Sequence, residues 1–505
     1  MSSCWVIIHN KVYDVTEFLP EHPGGPGIIL KYAGKDATSV YDPIHPPDAL
    51  DKNLPKDKHL GALNSAAAEA AAQNAANRVK TKDEQRVEKA QREKPSLSRI
   101  LNLYDMEHAQ VNQDAARKVM SYKALAYYSS ASDEEITHSQ NSVGFSRLFF
   151  LPRVMRPVSD CDPSTTLLST PSRIPIFIAP AALARLGHPA GEANLTRGAY
   201  RSGIIQCVSS NASLSYKDIA DARPDPSQVL WFQLYKNSDN KKAEERVREV
   251  IELGYKAIVL TVDAIVYGNR ERDVRAPWVL EDMEKAGAAN GGVEGGDAVR
   301  QPGDLDELEE VTDLSGSAGA LVAHDDRDMT FEKTIPWLRK LTKLPIMVKG
   351  IQCVADAVLA AESGVDGIVI SNHGGRQLEY SMPSIEVLYR LRKERPDVFD
   401  KLEVYMDGGV RRGTGGSHLP YYIPQGADTC TDVLKALCLG AKAVGLGRSF
   451  LYAQSAYGEA GVIKTVRILE REILHGMQML GARNVKELVP EMVEKVDWQV
   501  IASKL

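Results

Sequence analysis

The sequence predicts an α/β protein in two parts, a small α+β domain followed by a (β/α)8 TIM barrel. From about residue 98 onward eight short apolar runs each precede a helix-length segment. Before residue 64 short alternating strands flank turn-rich loops that present histidines, and between the two parts the composition shifts to alanine and charge.

In the first part, Trp5-Val6-Ile7-Ile8 and Val12-Tyr13-Asp14-Val15 read as strands around an Asn10-Lys11 turn. Glu21-His22-Pro23-Gly24-Gly25 follows, and His45 stands in Tyr41-Asp42-Pro43-Ile44-His45-Pro46. A lone loop histidine is ordinarily a surface residue. Here Pro23 fixes φ and the paired glycines let the backbone pass close to a flat ligand. Two such imidazoles can take both axial positions of a haem iron, leaving a centre that passes electrons. Residues 1–64 resemble a cytochrome b5 domain, with Ile28-Ile29-Leu30 forming part of the haem pocket wall; the resemblance implies haem b held by His22 and His45.

Residues 65–97 run from Ser65-Ala66-Ala67-Ala68-Glu69 to Lys89-Ala90-Gln91-Arg92-Glu93-Lys94-Pro95. Good helix formers with little apolar periodicity predict a solvated, partly helical tether on which the first domain swings.

The eight predicted barrel strands are 176–179, 204–208, 231–235, 257–263, 346–349, 367–371, 404–407 and 443–447. A (β/α)8 barrel carries its chemistry at the strands' C-terminal ends. Gln233 and Tyr235, Thr261 and Asp263, Lys349, Ser371 through Arg376, Asp407 and Gly447-Arg448 all fall there. Asp407-Gly408-Gly409-Val410-Arg411-Arg412-Gly413 and Gly445-Leu446-Gly447-Arg448 end strands seven and eight, where barrels bind phosphate with backbone N–H groups and an arginine. Lys349 ends its strand as a cation able to stabilise negative charge on a reduced flavin, so the set points to FMN. In Ser371-Asn372-His373-Gly374-Gly375-Arg376-Gln377, His373 can accept a proton with Asp263 as orienting carboxylate, and Arg376 can fork onto a substrate carboxylate.

On Asn372-His373-Gly374-Gly375-Arg376-Gln377 and Asp407 through Gly413, residues 98–505 resemble the FMN-dependent α-hydroxyacid dehydrogenase and oxidase family. The resemblance implies His373 as base, Asp263 as its partner, Arg376 and Arg270 on the carboxylate, and Tyr127 and Tyr235 on substrate. It implies FMN held by Ala179, Pro180, Ala181, Ser209, Gln233, Thr261, Lys349, Asp407, Gly408, Gly409, Arg411, Gly447 and Arg448. It further implies oxidation of an L-2-hydroxy acid, with L-lactate to pyruvate as the leading case, and electron flow through haem to a cytochrome c-like acceptor. A homotetramer is the family's common assembly. Two other readings are an oxidase that gives hydrogen peroxide from oxygen, and a haem electron carrier with a flavin-free barrel.

Departures from the pattern accompany it. Gly415 to Thr431, rich in Gly, Pro and Tyr, interrupts the family sequence beside the phosphate site, and its composition suggests translated intron. Asn211 brings a polar group to the substrate side-chain pocket and Ala182 a small one. Residues 285–325, glycine-rich then acidic, read as a mobile loop.

The 505 residues, 43% hydrophobic and 25% charged, suit globular domains, and a net charge of −6 gives no basic footprint for nucleic acid. No run of about 18 apolar residues predicts a membrane span. Six scattered cysteines without CxxC spacing read as reduced thiols. Met1-Ser2-Ser3-Cys4-Trp5 enters the first strand at once, which leaves no room for a presequence. Ser503-Lys504-Leu505 spells a peroxisomal address. A peroxisomal or cytoplasmic site is therefore expected, or the mitochondrial intermembrane space if the amino terminus is incomplete.

Overall fold

The computed structural model describes residues 3–22, 24–102, 115–289, 319, 321–410 and 432–496. Arg411, the 415–431 segment, most of the 285–325 loop and Ser503-Lys504-Leu505 lie outside the described residues.

The first domain is built on a three-stranded antiparallel sheet, β1 (Trp5–Ile8), β2 (Lys11–Asp14) and β3 (His59–Ala62), in the order β1-β2-β3. The tight turn falls at His9 and Asn10, both with positive φ (51° and 59°), one residue earlier than the sequence predicts. A two-residue hairpin needs two left-handed residues to match strand twist, and asparagine accepts that conformation readily. Alternation along the strands sends Val6, Ile8, Tyr13 and Val15 into one small core with Tyr41 and Leu54. Ile29 and Leu30 pack against that core, whereas Ile28 is exposed.

The tether is only partly free. The helix Lys82–Glu93 opens with a Thr81–Glu84 capping box and docks on the barrel domain. Its Asp83 is buried, accepting from Arg86 and, at 2.8 Å, from the Tyr122 backbone N–H. Arg86 in turn caps the Lys118 and Met120 carbonyls. Residues that read as solvated helix charges thus satisfy backbone groups of a neighbouring segment.

Before the barrel come β4 (Leu148–Phe150) and the hairpin β5 (Thr165–Leu167) with β6 (Thr170–Ser172). The barrel strands are β7 (Ile176–Ile178), β8 (Ile205–Ser209), β9 (Leu230–Leu234), β10 (Ala257–Thr261), β11 (Ile346–Ile351), β12 (Gly367–Ile370), β13 (Glu403–Asp407) and β14 (Val444–Leu446). They close as parallel neighbours, β14 pairing with β7, and a last strand β15 (Val493–Lys495) pairs with β4. All eight predicted runs are present as strands. Phe177, Trp231, Met347 and Tyr405 fill the barrel interior, with the aromatic rings edge-on to Tyr405 at 5.8–5.9 Å. Leu167 joins this interior cluster from the β5–β6 hairpin, and that hairpin is held by the Leu168 N–H on Glu403 at the start of β13. The hairpin therefore stoppers the N-terminal end of the barrel.

The two domains touch. Lys52 pairs with Glu249 at 3.0 Å, Asp42 lies 3.8 Å from Arg185, and Ile44, beside His45, packs against the barrel's outer core. Among the described residues no helix is long and apolar enough to cross a membrane.

Replacing Asp83 with alanine is expected to leave the Tyr122 N–H and the Arg86 charge without their acceptor, at about 1–3 kcal/mol. Thermal unfolding should register that loss, and limited proteolysis should find new cleavage within Lys82–Glu93. An unchanged digest would show that the docking does not depend on this carboxylate.

Candidate active site

The C-terminal ends of β10, β11 and β12 bring three titratable groups together. Asp263, two residues past β10, has a side chain with no solvent exposure. Its Oδ1 accepts from His373 Nδ1 at 2.9 Å, and its Oδ2 has no hydrogen-bond partner but lies 3.9 Å from Lys349 Nζ. Gly350 (φ 111°) makes this possible, because a Cβ there would stand 2.6 Å from the Asp263 Cβ. Burial works to raise the Asp263 pKa, but the Lys349 charge, then the His373 imidazole and its hydrogen bond, outweigh it and hold the carboxyl below its ordinary value. Lys349 is raised in the same way: burial opposes its charge, and Asp263 and Asp407 (3.6 Å) restore it.

His373 itself sits at φ 57°, its N–H donating to Ser371 Oγ at 3.1 Å. Ser371 Oγ also accepts from Lys349 Nζ. Burial lowers the His373 pKa more than Asp263 raises it. The imidazole is therefore neutral, its Nδ1–H spent on Asp263 and its Nε2 free to take a proton. Tyr235 Oη lies 3.3 Å from that nitrogen, and burial keeps both Tyr235 and Tyr127 phenols protonated.

Around this dyad stand cations. Arg376 is anchored by the Tyr128 and Ser130 carbonyls. Burial, then the charges of Arg448 and Arg270, brings it down to about 9, still charged at neutral pH. Arg270 is buried beneath Tyr127, 6.0 Å from ring centroid to guanidinium carbon, with its Nε unpartnered. Arg448 opens the last barrel helix after Gly447 and donates to the Gly374 carbonyl at 2.6 Å. Two kinds of anion suit this cluster, a carboxylate between Arg270 and Arg376 and a phosphate at the helix start by Arg448.

The remaining predicted flavin residues line the same mouth. Gln233 Oε1 accepts from Ser209 Oγ at 3.1 Å while its Nε2 is buried without a partner, and so is Thr261 Oγ1. Orphaned amide and hydroxyl groups on adjacent strands fit a flat, polar heterocycle such as the FMN ring. Ala179, Pro180 and Ala181 follow β7, and Ala179 N–H continues the ladder to Leu446 O. Asp407 ends β13 and Gly408 and Gly409 follow it; a Cβ on Gly409 would lie 2.3 Å from the Asn141 carbonyl. Arg411 lies outside the described residues.

Sequence reasoning missed several parts. Asn141 and Asn372 exchange two side-chain hydrogen bonds, 2.9 and 2.7 Å, that tie the loop bearing His373 to the helix Ile136–Ser146. Gln377 donates to the Asp263 and Val266 carbonyls, and His138 contacts Arg448. Asn372 and Gln377 stood inside the quoted motif; Asn141 carried no local signal.

In the first domain the ring centroids of His22 and His45 are 6.1 Å apart. Two imidazoles bound to opposite faces of one metal ion stand about 6 Å apart, from metal–nitrogen bonds of about 2 Å and half a ring on each side. His22 Nδ1 bonds the Gly25 carbonyl and His45 Nδ1 the Tyr41 carbonyl, which leaves both Nε2 lone pairs for iron. Burial first, then His22 and Lys123, pushes His45 down to about 4, so it is a neutral ligand. Among the described residues no group of three or more histidine, cysteine or acidic side chains forms a site for a bare ion. The pair fits haem.

Thr261→Val is expected to leave the FMN-free protein no less stable, since it deletes a buried hydroxyl with no partner. FMN affinity should fall by about 1 kcal/mol, roughly fivefold in Kd. Flavin fluorescence titration measures it, and an unchanged Kd would remove Thr261 from the flavin site.

Residues 116–495 match the model of the FMN-dependent dehydrogenase family, and residues 1–64 that of the cytochrome b5-like heme/steroid binding domain. The chain is 41% identical over 493 residues to L-lactate dehydrogenase (cytochrome) of Wickerhamomyces anomalus, covering 97% of this chain and 77% of that protein. It is 40% identical to the protein of the same name in Saccharomyces cerevisiae, with the same coverage. A flavocytochrome b2 double mutant solved with pyruvate bound superposes with a TM-score of 0.68 at 37% identity, over 83% of this chain and 92% of that one. With its barrel dyad, its cation cluster and its paired histidines, the chain belongs to the FMN-dependent dehydrogenase family, in the flavocytochrome b2 arrangement of a haem domain fused to a flavin barrel.

Proposed function

We propose that the chain oxidises a short L-2-hydroxy acid, L-lactate foremost, to the 2-oxo acid and delivers the electrons through haem b to a cytochrome c-like acceptor. The observation that carries this reading is the His373–Asp263 dyad facing Tyr235 beside the buried Arg270 and the half-buried Arg376.

The 2-hydroxy acid enters with its carboxylate held by Arg270 and Arg376, the latter unable to swing away because two carbonyls fix it. Tyr127 and Tyr235, kept protonated by burial, supply hydrogen bonds to the carboxylate and the 2-oxygen. His373 Nε2 accepts the hydroxyl proton, and Asp263 stabilises the imidazolium as it forms. Held by the residues above, FMN would supply the acceptor for the α-hydrogen and its two electrons, and haem b held by His22 and His45 would supply a one-electron relay. Lys349, which Asp263 and Asp407 keep charged against burial, would supply a positive charge at the flavin site. The side-chain pocket carries Asn211, whose amide donates to the Leu321 carbonyl at 3.1 Å.

Transfer to haem rather than oxygen is favoured by the packing of Ile44 and the Asp42–Arg185 and Lys52–Glu249 pairs, which place the His45 loop against the barrel. The expected test is anaerobic mixing with L-lactate: flavin absorbance bleaches first and the haem bands sharpen after it. In His45→Ala flavin bleaching persists while cytochrome c reduction is lost. Peroxide formation by the wild type at the same rate as cytochrome c reduction would favour the oxidase reading.

Asp263→Asn removes the charge that raises the His373 pKa, so that pKa falls further. A base that must be neutral loses activity below its pKa, and the acid limb of kcat/KM therefore moves to lower pH. The turnover number should drop by about 10²–10⁴. A pH–rate profile showing the limb unmoved would separate Asp263 from His373.

A further inference from the structure

A second cleft, of about 660 Å3, lies away from the barrel mouth, where the end of the linker helix meets the segment after β7 and the last barrel helix. Its walls include Lys94 and Leu97, the His188-Pro189 turn, and Tyr457-Gly458. The last helix, Arg448–Leu480, breaks here, with Gly458 at φ 58° and ψ −142°.

The two polar walls of this cleft share one character. His188 Nδ1 accepts from the Ala190 backbone N–H at 3.1 Å and from Asn194 Nδ2 at 3.0 Å. That fixes the tautomer and puts the proton on Nε2, the edge turned toward Gly458, whose ideal Cβ position is 3.5 Å away. Lys94 Nζ donates to Gln91 Oε1 (2.8 Å) and to the Ala456 carbonyl (2.5 Å), and it lies 5.1 Å from the Tyr457 ring centroid. All of these are neutral acceptors. Among the described residues no ion pair joins Lys94 or His188 to a carboxylate, whereas the neighbouring Arg197 is spent on Glu459 at 3.2 Å. Burial depresses the Lys94 ammonium with no acid to offset it, and burial first, then the Lys94 and Arg197 charges, depress His188. A half-buried cation without a counter-ion beside a fixed N–H donor, in a space of ligand size with apolar sides, is complementary to a small anion that has a carbon body.

We propose that this cleft binds a small organic carboxylate, its oxygens on Lys94 Nζ and His188 Nε2–H and its carbon skeleton against Leu97 and Pro189. Because Lys94 and Leu97 belong to the linker and His188 to the barrel, an occupant fastens the end of the linker to the barrel.

Equilibrium dialysis of radiolabelled pyruvate against the full chain loaded with FMN and haem tests it. Two sites per chain are expected, one at the barrel mouth and one in the cleft. Lys94→Met should weaken one site at least tenfold and leave the other untouched, while Lys94→Arg keeps both. Should Lys94→Met loosen the linker by itself, His188→Leu removes the second donor from the opposite wall and must weaken the same site. A single site in the wild type, or two sites that survive both variants, overturns the proposal.

Discussion

A carboxylate with no access to water, Asp263, sets the terms for the barrel mouth. An isolated buried charge is costly, and proteins keep one only where partners offset the lost hydration. Here Lys349 and the His373 N–H do so from two neighbouring strands, and the approach depends on Gly350 having no side chain. Ser371 then links Lys349 to the His373 backbone, so the ammonium and the imidazole residue share one hydroxyl. The same carboxylate that orients the imidazole also sustains the charge on Lys349. In the function proposed, acid–base chemistry and cofactor electrostatics are therefore coupled through a single residue.

The haem domain uses the same device in a simpler form. Backbone carbonyls of Gly25 and Tyr41 take the Nδ1 protons of the two histidines, fixing ring orientation before any metal arrives. The loop bearing His45 also carries the contacts to the barrel, Asp42 and Ile44. Ligand geometry and domain docking are thus set by one short stretch of chain.

Much of this was legible in the residues. Eight apolar runs became eight strands because parallel barrel strands, buried on both faces, leave near-continuous hydrophobic sequence. Asp263, Lys349, His373 and Arg376 were visible because strand ends in this architecture converge. The Asn141–Asn372 exchange was not, since it joins residues 231 apart in sequence and neither amide has a local reason to be buried. The docking of Lys82–Glu93 was misread as solvation: Asp83 and Arg86 look like an ordinary helical ion pair until the Tyr122 N–H and the Met120 carbonyl come to meet them. The hairpin turn was shifted by one residue because a lysine's position says little about which neighbour adopts positive φ.

With the helix Lys82–Glu93 anchored, the leash on the haem domain shortens to the stretch from Asn64 to Thr81, of which the 12-residue helix Ser65–Ala76 spans about 18 Å. A short leash holds its cargo at an effective concentration in the millimolar range. Haem arrival at the flavin then becomes a first-order event, indifferent to dilution of the enzyme.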